Sequence, residues 1–205
     1  MPDLEIFSDF NCIWCYFDCG SVESIQDEYD VNLVRRAFPL HPDIPSGGIP
    51  IVEYFGNNSS LMDEKMRILE EKARELDLPL ARRTMISGSR PAQELSKWAK
   101  TKGQEDTFHK KMYAAYFADG LNISDMNVLL AVVESVGLCR NEAMAVLESR
   151  RFKASVDEDW ERSETLEIMA APSYVMGDVK LMGPQTFETL QHLLESHGIE
   201  KRQGA

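Results

Sequence analysis

From residue 59 to about residue 168 the chain offers no convincing strand, while strand-like segments stand on both sides of that stretch. This asymmetry limits the folds open to it. Leu4 to Phe7 is apolar apart from Glu5 and stops at Ser8 and Asp9, residues of turn and N-cap type, which predicts a short first strand. Apolar residues at Ile13, Tyr16, Phe17, Val22 and Ile25 then recur at helical spacing and predict one helix from Ile13 to about Tyr29. VNLVRRAF, residues 31–38, predicts a second strand. PLHPDIPSGGIP follows, and its four prolines and two glycines within twelve residues exclude regular structure and mark a surface connection.

The strandless stretch is a series of helical patterns separated by breakers. SSLMDEKMRILEEKARELD ends at Pro79, SRPAQELSKWAKTKG at Gly103 and EDTFHKKMYAAYFADG at Gly120. Ser124 and Gly137 read as the two caps of the next helix, and the pattern beginning NEAMAVLESRRF continues to Met169. Strand character returns only at PSYVM and VKLMG, residues 172–176 and 179–183, joined at Gly177-Asp178. A final helix is expected next, with Pro184 in its first turn and Gly198 past its end, and KRQGA reads as a loose terminus. Strand, helix, strand predicts a parallel βαβ unit, and the late hairpin would add antiparallel strands to the same sheet. The expected class is α/β, a βαβ...ββα arrangement carrying a large all-helical insertion. Its bounds are residues 1–55 and 169–205 for one discontinuous domain and residues 56–168 for the inserted one.

Composition excludes several functions. Lys and Arg number 22 against 34 Asp and Glu, a formal net charge of -12, and no basic run interrupts that balance, so nucleic acid and anionic membranes would be repelled. The first ten residues lack a basic n-region, and no apolar run is long enough to span a bilayer, which gives a cytoplasmic location as the expectation. In a reducing cytosol lasting disulfides are rare, and four cysteines in 205 residues are too few for a disulfide scaffold.

Three of those cysteines lie in NCIWCYFDCG. Cys12 falls where the first strand meets the first helix, and Cys15 follows three positions on, within reach on the same face. Unpaired backbone N–H groups and the positive end of the helix dipole stabilise negative charge on the first sulfur. Cys12 is therefore the expected attacking thiol, and Cys15 the one that resolves the resulting mixed disulfide. A Cys-x2-Cys pair is also half of a structural zinc site. The second half is missing, because Cys139 stands alone and His41, His109, His192 and His197 are scattered, so no metal is expected. Cys19 reads as a buried neighbour or as a further thiol for exchange.

The strand before DFNCIWCYF, the helical insertion and the late APSYVMGDVKLMGPQTFETL together resemble the DsbA-like branch of the thioredoxin superfamily, in particular its FrnE-type cytoplasmic dithiol-disulfide oxidoreductases. The stretch SGSRPAQELSKWAKTKGQEDTFHKKMYAAYFADGLNISDMNVL is similar to the helical domain of that group, so the likeness spans nearly the whole chain. It implies a thioredoxin-like fold in which Cys12 is the nucleophile and Cys15 resolves. Pro172 matches the proline that is cis in that fold and faces the motif, and the backbone of Ala171 would pair with an extended substrate. Trp14, between the cysteines, would be either a contact surface for substrates or a packed aromatic. The implied partners are protein or small-molecule thiols and disulfides. No bound cofactor is implied beyond the cysteine pair itself, with glutathione a candidate co-substrate. Oligomeric state stays open, a homodimer included. Family members commonly carry Pro-Trp between the cysteines, where this chain has Ile13-Trp14, and that dipeptide tunes the redox potential. The alternative is a glutathione-dependent isomerase or transferase, since 2-hydroxychromene-2-carboxylate isomerases and kappa-class glutathione transferases share the inserted architecture. They use a serine where Cys12 stands.

Four remaining features have bland readings. Met62, Met66, Met85, Met112, Met126 and Met144 are expected as core filler, and Trp98, Phe108, Tyr113, Tyr116 and Phe117 as core. The run DEDWE at 157–161 reads as a solvated helix face, and His41, in the Pro-rich loop, as a surface histidine.

Overall fold

A computed structural model describes residues 3–45, 47–56 and 59–202. The chain falls into two compact units, Met1–Leu40 with Asp157–Ala205, and His41–Val156.

In the first unit β1 (Asp3–Ser8) pairs in parallel with β2 (Asn32–Ala37), from Asp3 opposite Asn32 to Ser8 opposite Ala37. β5 (Ser173–Met176) lies antiparallel on the other side of β1, with Ile6 opposite Tyr174, and β6 (Val179–Met182) completes the order β2-β1-β5-β6. This is the parallel unit and late hairpin that the sequence predicts. The expected single helix after β1 is two, α1 (Ile13–Phe17) and α2 (Cys19–Glu28), divided at Asp18. The tail helix is α10 (Phe187–Ser196), and its N-cap is Thr186, whose hydroxyl accepts from Thr189 N; Pro184 precedes the helix instead of entering it. Leu4, Ile6, Val22, Ile25, Tyr29, Tyr174, Met176, Leu190, Leu193 and Leu194 form one buried cluster between the sheet, α2 and α10. Burying each such side chain stabilises the fold by about 1.5–3 kcal/mol. The tail is tied down in part. Lys201 bridges to Tyr29 and the Arg202 N–H donates to Glu28 O at 2.7 Å, while residues 203–205 of the expected loose terminus lie outside the described residues.

The second unit is helical, with one exception that the sequence does not announce. β3 (Ile49–Pro50) and β4 (Met85–Ile86) form a two-stranded antiparallel ladder, so the Pro-rich segment and the helical stretch each hold a short strand. α3 (Ile51–Tyr54) and α4 (Ser59–Glu75) lie between them. α5 (Arg90–Thr101) and α6 (Glu105–Tyr113) follow, and α6 continues into a π-helical segment, Ala114–Ala118. α7 (Met126–Ser135) is capped by Asp125, whose carboxylate accepts from Asn127 N and Val128 N, one residue later than the expected Ser124. The expected last helix is interrupted at Arg150, in the left-handed region at φ +52°, which separates α8 (Arg140–Ser149) from α9 (Lys153–Thr165). Trp98, Phe108, Tyr113, Tyr116 and Phe117 are buried as expected. The methionines divide: Met112 is buried, whereas Met85, Met126 and Met144 are exposed.

The division between units falls earlier than the expected bounds at both places, after Leu40 and after Val156. Ion pairing explains the second. Arg36 on β2 reaches Glu5 at 2.7 Å and Asp159 at 3.1 Å, and Arg162 donates from Nε to Glu5 at 2.6 Å, which fastens most of α9 to the sheet. Asp159 also accepts the Ala37 N–H at 2.7 Å and is buried, so the acidic run is solvated at Glu158 and Glu161 but not at Asp159. Glu5 is drawn two ways. Burial would raise its pKa, but the hydrogen bonds and charges of Arg162 and Arg36 outweigh that and hold it below the usual carboxylate range.

Candidate active site

β1 delivers the chain to the site. The Asp9 carboxylate, buried just past the strand, accepts the Asn11 N–H at 2.7 Å and the Leu40 N–H at 3.4 Å, and the Asp9 carbonyl accepts Cys12 N–H at 3.0 Å. This tight turn presents Cys12 as the N-cap of α1, with extended backbone at φ -83° and ψ 108°. The Cys12 sulfur takes the role usually filled by a hydroxyl or carboxylate cap, accepting the Cys15 N–H at 3.2 Å.

The second half of the site comes from the far end of the sequence. Cys12 Sγ lies 3.1 Å from the Ala171 carbonyl oxygen, to which the thiol donates, across 159 residues of chain. The Ala171–Pro172 peptide bond is cis, and Pro172 O accepts Gly183 N–H at 2.8 Å from the end of the hairpin. Cys12, Cys15, Ala171 and Pro172 are thus brought together from both ends of the chain. Trp14 differs from the cysteines beside it. It is 37% exposed and meets Phe17 edge-on at 5.7 Å, whereas Cys12 and Cys15 are 3% and 5% exposed. Burial pushes the Cys15 thiol well above its ordinary pKa, and the hydrogen bond and charge of Cys12 add to the effect. The two sulfurs are chemically unequal: Cys15 keeps its proton, while Cys12 sits where a backbone N–H meets its sulfur. Such a pair can pass between dithiol and disulfide. All four cysteines are free thiols; Cys19 is half-buried and donates to Cys15 O at 3.3 Å, and Cys139 is exposed. Among the described residues no three His, Cys, Asp or Glu side chains gather closely enough to hold a metal ion.

Two residues near the thiols carry no signal in the sequence. Asp18, at the junction of α1 and α2, is 7% exposed, and its Oδ2 accepts from the Tyr174 hydroxyl at 2.8 Å and the Gln185 N–H at 3.1 Å. Burial raises the Asp18 carboxyl above the ordinary range, and these two bonds offset it only partly. Tyr174 is fully buried and its phenol is raised well above 10, first by burial and then by the Asp18 charge. His41 belongs to the second unit, where it is half-buried and bonded to the Tyr54 hydroxyl at 2.9 Å. Burial lowers its pKa.

A four-stranded mixed sheet, a buried thiol pair at the first helix and a cis X-Pro bond beside it define a thioredoxin-like fold with a helical insertion. Residues 3–195 match the model of the DSBA-like thioredoxin domain, and the chain belongs to that family. Among solved structures it is similar to a probable DsbA oxidoreductase from Streptomyces coelicolor, with 23% identity, a TM-score of 0.87, and coverage of 97% of this chain and 91% of that one. It is also similar to the cytosolic disulfide reductase DsbM of Pseudomonas aeruginosa, solved with GSH, with 15% identity and a TM-score of 0.69 over 95% of this chain and 98% of that one. A third likeness is to a 2-hydroxychromene-2-carboxylate isomerase, with 17% identity and a TM-score of 0.71 over 95% and 94%. Among the described residues no helix is long and apolar enough to cross a membrane.

Proposed function

We propose that this protein is a dithiol-disulfide oxidoreductase of the FrnE type, acting in the cytoplasm on protein or small-molecule thiols and disulfides. The observation that carries the reading is the unequal thiol pair: Cys12 Sγ receives the Cys15 N–H and touches Ala171 O, while burial keeps the Cys15 proton in place. In the reducing direction ionised Cys12 attacks one sulfur of a substrate disulfide. A Cys12–substrate bond forms, the substrate S–S bond breaks, and the other substrate sulfur leaves as a thiolate. Cys15 then attacks Cys12, which closes the Cys12–Cys15 disulfide and releases the second thiolate, so the substrate gains two electrons and the protein loses two. The reverse sequence oxidises a substrate dithiol. Exposed Trp14 and the Ala171–Pro172 backbone offer the docking surface for an extended substrate, and the likeness to a disulfide reductase solved with GSH supports glutathione as a co-substrate. Cys12→Ser should abolish both insulin reduction and oxidation of a reduced protein; full activity in either assay would refute the assignment. The isomerase likeness favours a second reading, a glutathione-dependent isomerase or transferase. That reading predicts that Cys15→Ser retains turnover, whereas dithiol exchange predicts a stalled mixed disulfide on Cys12.

A further inference from the structure

In the helical unit a cleft of about 480 Å3 lies between α5 and α8, inside the span of roughly 300–1,000 Å3 typical of small-molecule sites. Its apolar lining is Trp98 from α5, Val146 from α8 and Phe152 from the turn that follows α8; its charged lining is Lys102, Glu142 and Arg151. Trp98 and Val146 are 3% and 5% exposed, so the floor of the cleft is part of the core, while the three charged residues are exposed at its rim. All of these residues belong to the second unit, whereas Cys12 and Cys15 belong to the first.

Lys102 Nζ lies 5.9 Å from the Trp98 ring centroid and the Arg151 guanidinium carbon 5.8 Å from that of Phe152, so each cation overhangs an aromatic ring. Their other partners differ. Lys102 bonds to Glu142 at 2.7 Å, which joins the end of α5 to α8, whereas Arg151 has no carboxylate partner among the described residues. The hydroxyls of the cleft are already engaged: Thr101 donates to Trp98 O at 2.7 Å and Ser149 to Ala145 O at 2.6 Å. The in-plane N–H groups of Arg151 are therefore the donors that a ligand would meet, and a planar fork of this kind matches the two oxygens of a carboxylate. At a net charge of -12 the chain as a whole repels anions. A simple anion would gain only the fork, but an acid with a flat apolar body would also cover Trp98, Val146 and Phe152. We infer that this cleft binds a small aromatic carboxylate, with its carboxylate on Arg151 and its ring over the apolar floor.

The test is titration calorimetry on the full chain, with 2-naphthoate, its neutral amide and acetate as probes. Naphthoate should bind saturably with a Kd of about 1 mM or tighter, as expected of a ligand of that size, and the amide and acetate should bind about tenfold more weakly or worse. Arg151→Met should raise the naphthoate Kd about tenfold through loss of a charge-assisted contact, and Ala145→Phe, which fills the cleft, should abolish binding. Glu142→Gln removes the competing acid and releases Lys102, so it should lower the Kd. Arg151, Ala145 and Glu142 are all exposed, so these variants should fold, and opposite shifts at Arg151 and Glu142 separate ligand electrostatics from a general change in the fold. Cys12→Ser should bind naphthoate as the native chain does, because this site does not depend on the dithiol reading. The inference is overturned by an absence of saturable heat in the native chain, by equal affinity for the amide, by a native Kd in Arg151→Met or Ala145→Phe, by Glu142→Gln binding no tighter than the native chain, or by loss of binding in Cys12→Ser.

Discussion

Replacing Arg162 by Met should unfasten α9 from the sheet while keeping an unbranched, flexible stem in place of the guanidinium. Arg162 donates to both oxygens of Glu5, whose side chain is 9% exposed, and Arg36 then remains as the other partner in this cluster. A hydrogen bond to a charged group contributes about 1.5–3 kcal/mol. Arg162 itself is 41% exposed, so solvent screening places the loss at the low end, about 1.5–2 kcal/mol. At roughly 2–4 °C per kcal/mol for a chain of this size, the melting temperature at neutral pH should fall by about 3–8 °C. The pH dependence has a definite sign. The folded-state pKa of Glu5 is depressed, so its contribution is present above the unfolded value and is lost as pH falls through the lower folded value. Melting curves of Arg162→Met and the native protein, recorded by circular dichroism, should therefore differ at neutral pH and converge in strongly acidic buffer. An equal deficit at both pH values would refute the electrostatic account, and a neutral-pH loss under about 0.5 kcal/mol would refute the assigned magnitude.

Glu94 is fully buried and accepts from Nε and a terminal nitrogen of Arg150 as well as from Arg90, but the arginines that Glu94→Ala leaves behind reach solvent, so the loss should be about 1.5–3 kcal/mol; an unmoved urea midpoint would count against it. Asp18 has the opposite sign to Glu5. Its folded pKa is raised, so its contribution is present below the unfolded value and disappears as pH rises through the folded one. The stability of Asp18→Asn relative to the native protein should thus improve from acid to neutral pH, and a difference independent of pH would contradict this. Trp14→Ala should change stability by less than about 0.5 kcal/mol yet slow turnover of protein disulfides more than of small ones; equal slowing of both would remove Trp14 from the docking surface.

Periodicity made the main sheet readable. β1, β2 and the hairpin run long enough for composition and alternation to register, whereas β3 and β4, two residues each, leave no pattern at all. Breaks inside helical patterns were hidden for a different reason. Asp18 separates α1 from α2 while its carboxylate is engaged by Tyr174 and Gln185, partners more than 150 residues away, so no local signal marks the junction. Asp159 is hidden similarly: a run of acids reads as solvated until Arg36 and the Ala37 N–H are brought to it. Within the site, the spacing of Cys12 and Cys15 and their place at a strand-helix junction were legible from the residues alone. The contribution of Ala171 and Pro172 came through family resemblance, because nothing local connects them to the cysteines.

The thiol of Cys12 and the carbonyl that it touches are separated by 159 residues. A ribosome adding 5–20 residues per second makes the first of these groups roughly 8–30 s before the second. During that interval the nascent chain carries its thiols without the carbonyl they later meet and without Tyr174. The site therefore assembles only once the hairpin has been made, and a chain interrupted before the hairpin would hold the cysteines but not their surroundings.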